Sequence, residues 1–158
     1  MNLPLKRGLS FGLTSGVITT LGLIVGLDSS THSKIAIIGG ILTIAIADAF
    51  SDAFGIHISE ESEKKESERQ VWKATFFTFL FKLIFALTFI VPILSLELST
   101  AIKASIAWGL FLLAVFSVYI AKERKIRVYY VVTEHLIIAV IVIFITHYVG
   151  DFLGWAFR

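Results

Sequence analysis

Cysteine is absent from this 158-residue chain, methionine occurs only as Met1, and charged residues make up just 16%. Each shortage excludes something. Without cysteine there is no disulfide scaffold of the secreted type. Without thiolates or an internal thioether there is no soft site for Cu(I). A soluble domain carries about 25% charged residues. Here 56% of the residues are hydrophobic and the mean hydropathy is +0.85, which points to lipid as the solvent. A formal charge of +2 gives no reason to expect a nucleic-acid partner. No glycine-rich phosphate loop, nucleophile elbow or His-Glu-x-x-His motif occurs, so no enzyme activity is expected.

What the chain does have is long apolar runs. A membrane helix needs about 20 mostly apolar residues. Five runs meet that length, over 8–27, 34–58, 71–96, 100–121 and 129–155, and leave room for short connections only. The expected fold is all-α: a single polytopic membrane domain over residues 1–158 with five transmembrane helices. The first run follows Lys6-Arg7, as in a signal peptide, but it exceeds an h-region of about 7–15 residues and no cleavage site follows; it reads as a retained helix. Pro92, near the end of the third run, can kink or stop that helix. Trp72, Trp108 and Trp155, with Tyr129, Tyr130 and Tyr148, mostly fall toward run ends, as an aromatic belt would place them.

The loops set the expected orientation. Most of the 14 Lys and Arg residues lie on one side: Lys6 and Arg7, then Lys64, Lys65, Arg69 and Lys73, then Lys122, Arg124, Lys125 and Arg127. The positive-inside rule puts that side, and the N-terminus, in the cytoplasm. The strongly polar stretch 59–70 lacks Gly and Pro and offers Glu60–Lys64 and Glu61–Lys65 as i,i+4 pairs. It reads as an acidic helical extension of the second helix into the cytoplasm.

Within the runs, small and polar residues stand out. Gly8, Gly12 and Gly16 recur every four residues in the first helix, as do Gly22 and Gly26, a spacing that lets another backbone approach closely. Ser15, Thr19 and Thr20 on that helix present hydroxyls, so packing and lining a path are both open to it. Asp48 and Asp52 sit well inside the second run, on one helix face and about 6 Å apart along the axis. Each aspartate near the bilayer centre costs roughly 2.5–3.5 kcal/mol, and intramembrane acids mark ion or proton pathways by default. Like charges so close favour a shared proton or a bound cation. The structural alternative is a buried network with Lys82, the cation inside the third run. Lys82 can neutralise an aspartate or stand in for a visiting cation.

His57, Glu60 and Glu61 form an i, i+3, i+4 set in which imidazole and carboxylates could converge at the cytoplasmic mouth. Mixed N and O ligands suit Fe(II), Mn(II), Co(II) or Zn(II). The glutamates beyond Glu61 read as a solvated face satisfied by interleaved lysines. Glu134 and His135 are expected to pair with the nearby basic loop, and His147 with Asp151 as a hydrogen-bonded i,i+4 pair.

The pattern resembles the vacuolar iron transporter family of five-helix divalent-metal carriers. Ser15-Gly-Val-Ile-Thr-Thr-Leu-Gly-Leu-Ile-Val-Gly26 is similar to the family's first helix. Ala47-Asp-Ala-Phe-Ser-Asp-Ala-Phe-Gly55 resembles its Ala-small-Ala-Leu-Ser-Met-Ala-x-Gly, and Thr146-His-Tyr-Val-Gly150-Asp-Phe-Leu-Gly154 its closing Thr-Tyr-x-x-Gly-x-x-x-Gly. The family's first-helix aspartate corresponds to Ser15, its second-helix methionine to Asp52, and the glutamate after the glycine to Ile56. A carboxylate has in effect moved from the first helix to the second. Only 59–70 stands where eukaryotic members carry a metal-binding domain.

The resemblance implies a homodimer in the membrane lipid that exchanges Fe2+ or Mn2+ for protons, with no tightly bound cofactor. Asp48, Asp52, His57, Glu60 and Glu61 are then the expected metal ligands, and Ser15, Thr19, Ser51 and Lys82 the expected lining of the path. The alternative expectation is a non-transporting interaction or metal-sensing protein of the same fold, its acids paired to Lys82.

Overall fold

The computed structural model describes residues 3–63 and 67–157. The chain is all-helical: α1 Leu3–Thr31, α2 Lys34–Ser62, α3 Glu68–Thr88, α4 Ile90–Ser95, α5 Leu98–Glu123 and α6 Val128–Ala156. With α3 and α4 taken together, five helical segments are long and apolar enough to cross a membrane. They coincide with the five apolar runs, each extended by a few residues.

The third segment breaks at Phe89. Proline lacks an N–H and its ring presses on the carbonyl four residues back. For Pro92 that residue is Thr88, where α3 ends; the Phe89 N–H turns to Ala86 O in a tighter bond of 3.2 Å. Trp108, midway along α5, ties this break to its neighbour by donating Nε1–H to Thr88 Oγ1 at 3.0 Å.

The acidic stretch is divided between two helix ends. α2 runs to Ser62, whereas Glu68–Gln70 form the first turn of α3. Gln70 Oε1 accepts from the Ser67 N–H at 3.1 Å, a capping contact that starts a new helix there. Lys64, Lys65 and Glu66 lie outside the described residues, and with them the expected Glu60–Lys64 and Glu61–Lys65 pairs.

α1 is the centre of the bundle and touches α2, α3, α5 and α6. Its glycines decide how close the neighbours come. A Cβ on Gly8 would stand 2.4 Å from Phe77 Cβ, and one on Gly12 would stand 2.9 Å from Lys82 N and Thr78 O. The Gly8–Gly12–Gly16 stripe is therefore the α1–α3 contact. Farther along, Gly22 and Gly26 face α6, and a Cβ on Gly150 of α6 would come 2.5 Å from Gly26 O.

α2 buries one stripe, Ile37, Ile41, Ala45, Ala49 and Ala53, whose alanines let α1 and α3 draw in beside the aspartates. Its outer face carries a second run of small residues at the same spacing: Gly39, Thr43, Ala47, Ser51 and Gly55, all exposed. A Cβ added at Gly39 or Gly55 would meet nothing within 4 Å. Phe50, Phe54, Phe76, Phe111, Phe144 and Trp155 point outward from the bundle. Such an apolar exterior suits hydrocarbon.

Candidate functional site

The site grows out of the antiparallel register of α1 and α2. Ser15 Oγ donates to Asp52 Oδ2 at 2.6 Å, and two turns toward the N-terminal end of α1, Arg7 forms an ion pair with Glu60. One turn the other way, Thr19 shares a crevice with Asp48. Asp48, Asp52, Ile56 and Glu60 thus form one i,i+4 stripe along the α1–α2 seam.

Lys82 enters this seam from α3. Gly12 and Gly16 bring the α3 backbone against α1 at Lys82, so its side chain starts inside the bundle and extends to α2. It is only 1% exposed, among the largest fully buried side chains of the described residues. Its Nζ donates to Asp52 Oδ2, and to Ser15 Oγ at 2.9 Å. Asp48 Oδ2 stands 2.5 Å away as an ion-pair contact but has no aligned hydrogen bond. Burial of a charge in hydrocarbon is tolerated only when it is paired. Here one ammonium serves two carboxylates, so the ionised triad carries one negative charge in excess.

Access to the triad is one-sided for Asp48. An open crevice of about 710 Å³ follows the seam away from Arg7, lined by Thr19, Leu23, Gly40, Thr43, Asp48 and Ser51 among others. The Asp48 side chain is 27% exposed and that of Asp52 20%. Thr19, which lines the crevice, donates its hydroxyl to Ser15 O at 2.8 Å.

The expected ligands separate into two groups. Asp48 and Asp52 come together with Ser15 and Lys82. His57, Glu60 and Glu61 do not converge. The His57 ring turns to α3, with Nδ1 3.0 Å from Thr75 Oγ1 and the Trp72 ring 4.5 Å away. Glu60 turns to α1 and Arg7, while Glu61 is exposed. Among the described residues no group of three or more His, Asp or Glu is arranged to hold a metal ion. Adjacent positions on one helix are not enough when the two flanking helices offer different partners.

Elsewhere, His135 bonds Ser117 Oγ of α5 at 2.7 Å rather than the basic loop. His147 lies 3.4 Å from Asp151 through Nε2, and its Nδ1 is 2.5 Å from Ser29 Oγ. Sequence reading missed Lys6 and Arg7 as more than topogenic charges: Lys6 forms an ion pair with Glu123 at the end of α5, as Arg7 does with Glu60. The signal for Arg7 was present, because its separation from Ser15 equals that of Glu60 from Asp52. Comparison with family models, curated proteins and solved structures finds no match for the chain.

Proposed function

We propose that the protein is a multi-pass membrane carrier that exchanges a divalent transition-metal ion, Fe2+ or Mn2+, for protons at Asp48 and Asp52. The observation that carries this reading is that two carboxylates share the single ammonium of buried Lys82, next to a crevice that reaches Asp48. A carboxylate pair that shares one ammonium has capacity for one more positive charge, a proton or a visiting cation. Lys82 is the tethered cation that keeps the acids satisfied between passages. A metal ion bound by both carboxylates and Ser15 Oγ would displace the ammonium. An all-oxygen set of that kind suits Mn2+ better than the softer ions. Alternating access then follows small movements of helices about the midplane site.

The reading extends to the assembly. The exposed Gly39–Thr43–Ala47–Ser51–Gly55 stripe of α2 is a surface on which a second copy can pack closely. A homodimer through that face would cover the Asp48 crevice, which otherwise opens to lipid. The N-terminus is assigned to the cytoplasm by the basic loops, and the location is the cell membrane if the source is prokaryotic.

The test is Mn2+ and Fe2+ flux in proteoliposomes under an imposed pH gradient. Asp48→Asn with Asp52→Asn, made together with Lys82→Met so that no buried ammonium is left unmatched, should abolish flux and the accompanying proton movement while the protein still folds. Undiminished flux in that variant would overturn the proposal. A second reading rests on the completeness of the Lys82 contacts: the triad is a structural lock in a non-transporting interaction or sensing protein. On that reading the native chain moves no metal, and Lys82→Met only destabilises it.

A further inference from the structure

The break at Phe89 is accompanied by a groove of about 550 Å³ on the outside of the bundle. Thr88, Val91, Pro92 and Ser95 form one wall, and Ala104 and Trp108 of α5 the other. Ala104 has nothing beyond Cβ to fill the space between them. The deep end is shut by the Trp108–Thr88 hydrogen bond. There Thr88 donates its hydroxyl to Phe85 O at 2.7 Å and accepts from Trp108 Nε1–H at 3.0 Å, while Pro92 has no N–H. The side-chain polar groups at that end are thus already used, which favours hydrocarbon over water or a polar ligand.

The other end is different. Leu96 lines it, and Lys34 Nζ from the start of α2 donates to Leu96 O at 2.9 Å, with Leu94 O 3.4 Å away. Lys34 pairs with no carboxylate among the described residues, so its charge is open to an anion. Glu97 follows Leu96, so this rim is not a broadly basic field. The length of the groove also fits a lipid. From Leu98 to Trp108 α5 rises about 15 Å, half of the roughly 30 Å hydrocarbon core. The groove is therefore one leaflet deep, with a cation at its rim.

We infer that the groove binds a membrane phospholipid, one acyl chain lying between Pro92 and Ala104 and its phosphate held at Lys34. This goes beyond the carrier reading and requires only that the chain lies in a membrane. The bound chain braces the α3–α4 break against α5, where Ala104 leaves the two walls apart.

Trp108 reports the deep end directly. The full chain with Trp72→Phe and Trp155→Phe keeps it as the single fluorophore, in dodecyl maltoside. The probes are phosphatidylglycerol with brominated chains and a diacylglycerol with the same chains, which lacks the phosphate. Phosphatidylglycerol should quench Trp108 saturably, at about a fivefold lower concentration than the diacylglycerol, the scale of one lysine at an anionic lipid surface. Lys34→Gln should remove that preference and Lys34→Arg keep it. Ala104→Leu, which fills the groove without touching Lys34, should abolish saturable quenching by both lipids; it tests the site independently if Lys34→Gln does not fold. Equal quenching by the two lipids in the native chain overturns the proposal, as does saturable quenching that survives Ala104→Leu. A Trp108 that neither lipid quenches overturns it too, since the groove is then covered by protein. None of these readings depends on metal flux, so the lipid site and the carrier can fail separately.

Discussion

Lys82 has three N–H donors, and Asp52, Ser15 and Asp48 do not receive them equally. Asp52 accepts from both Lys82 and Ser15, whereas Asp48 has the ion contact without the aligned bond. The two aspartates, equivalent by spacing, should therefore respond differently to loss of charge. Asp52→Asn should destabilise the protein by about 1–3 kcal/mol, the range for charged hydrogen bonds left unmade. Asp48→Asn removes the excess negative charge and should leave the melting temperature in detergent unchanged or raised. Equal losses would contradict this division. Lys82→Met leaves two unmatched carboxylates in the bundle and should cost about 3–5 kcal/mol, visible in the same melting experiment. The i,i+4 spacing of the acids was legible in the sequence. That Lys82 reaches them was not, because hydropathy says nothing about which way α3 is rotated.

The helices differ in what their small residues accomplish. Gly8, Gly12 and Gly16 were recognisable as a close-approach stripe, but not the identity of the helix that uses it. Gly8→Ala should cost about 1–3 kcal/mol, the range for overpacking, because the new Cβ meets Phe77 at 2.4 Å. Gly55→Ala, with open space around it, should instead gain roughly 0.5–1 kcal/mol in the isolated chain, since alanine loses less entropy in a helix. If the outer stripe of α2 is where two copies meet, Gly55→Leu should shift the protein toward monomer in sedimentation without lowering its melting temperature. The acidic end of α2 illustrates a different difficulty. One periodic pattern was visible from Ser59 to Gln70, yet the Ser67–Gln70 cap starts a separate helix within it. Pro92 carried its own warning, and the break falls at its i−4 residue, Thr88.

For the molecule as a whole, five helical segments are long and apolar enough to cross a membrane, and five crossings would put the two ends of the chain on opposite faces. Reporter fusions at the N- and C-termini should give opposite readings, with the N-terminal fusion cytoplasmic as the basic loops direct. Two reporters on the same side would mean that one segment does not cross. The charges at the N-terminal face have a second part in this layout. Lys6 pairs with Glu123 and Arg7 with Glu60, so the residues expected to orient the chain also fasten three helices together at that end.

The sequence alone determined that the chain is helical and where its five long apolar segments lie. Those follow from the length and composition of each segment, which are local properties that lipid reads directly. It also determined that two carboxylates share a helix face, because helical spacing is fixed by backbone geometry. Only the tertiary structure decided that Lys82 lies between them, that His57 and Glu60 face different neighbours, and that Arg7 pairs with Glu60 across the α1–α2 seam. Those outcomes depend on the rotation and register of helices against one another. Rotation and register are set by where glycine and alanine let backbones touch, a matter of pairs of segments that no single stretch of sequence specifies.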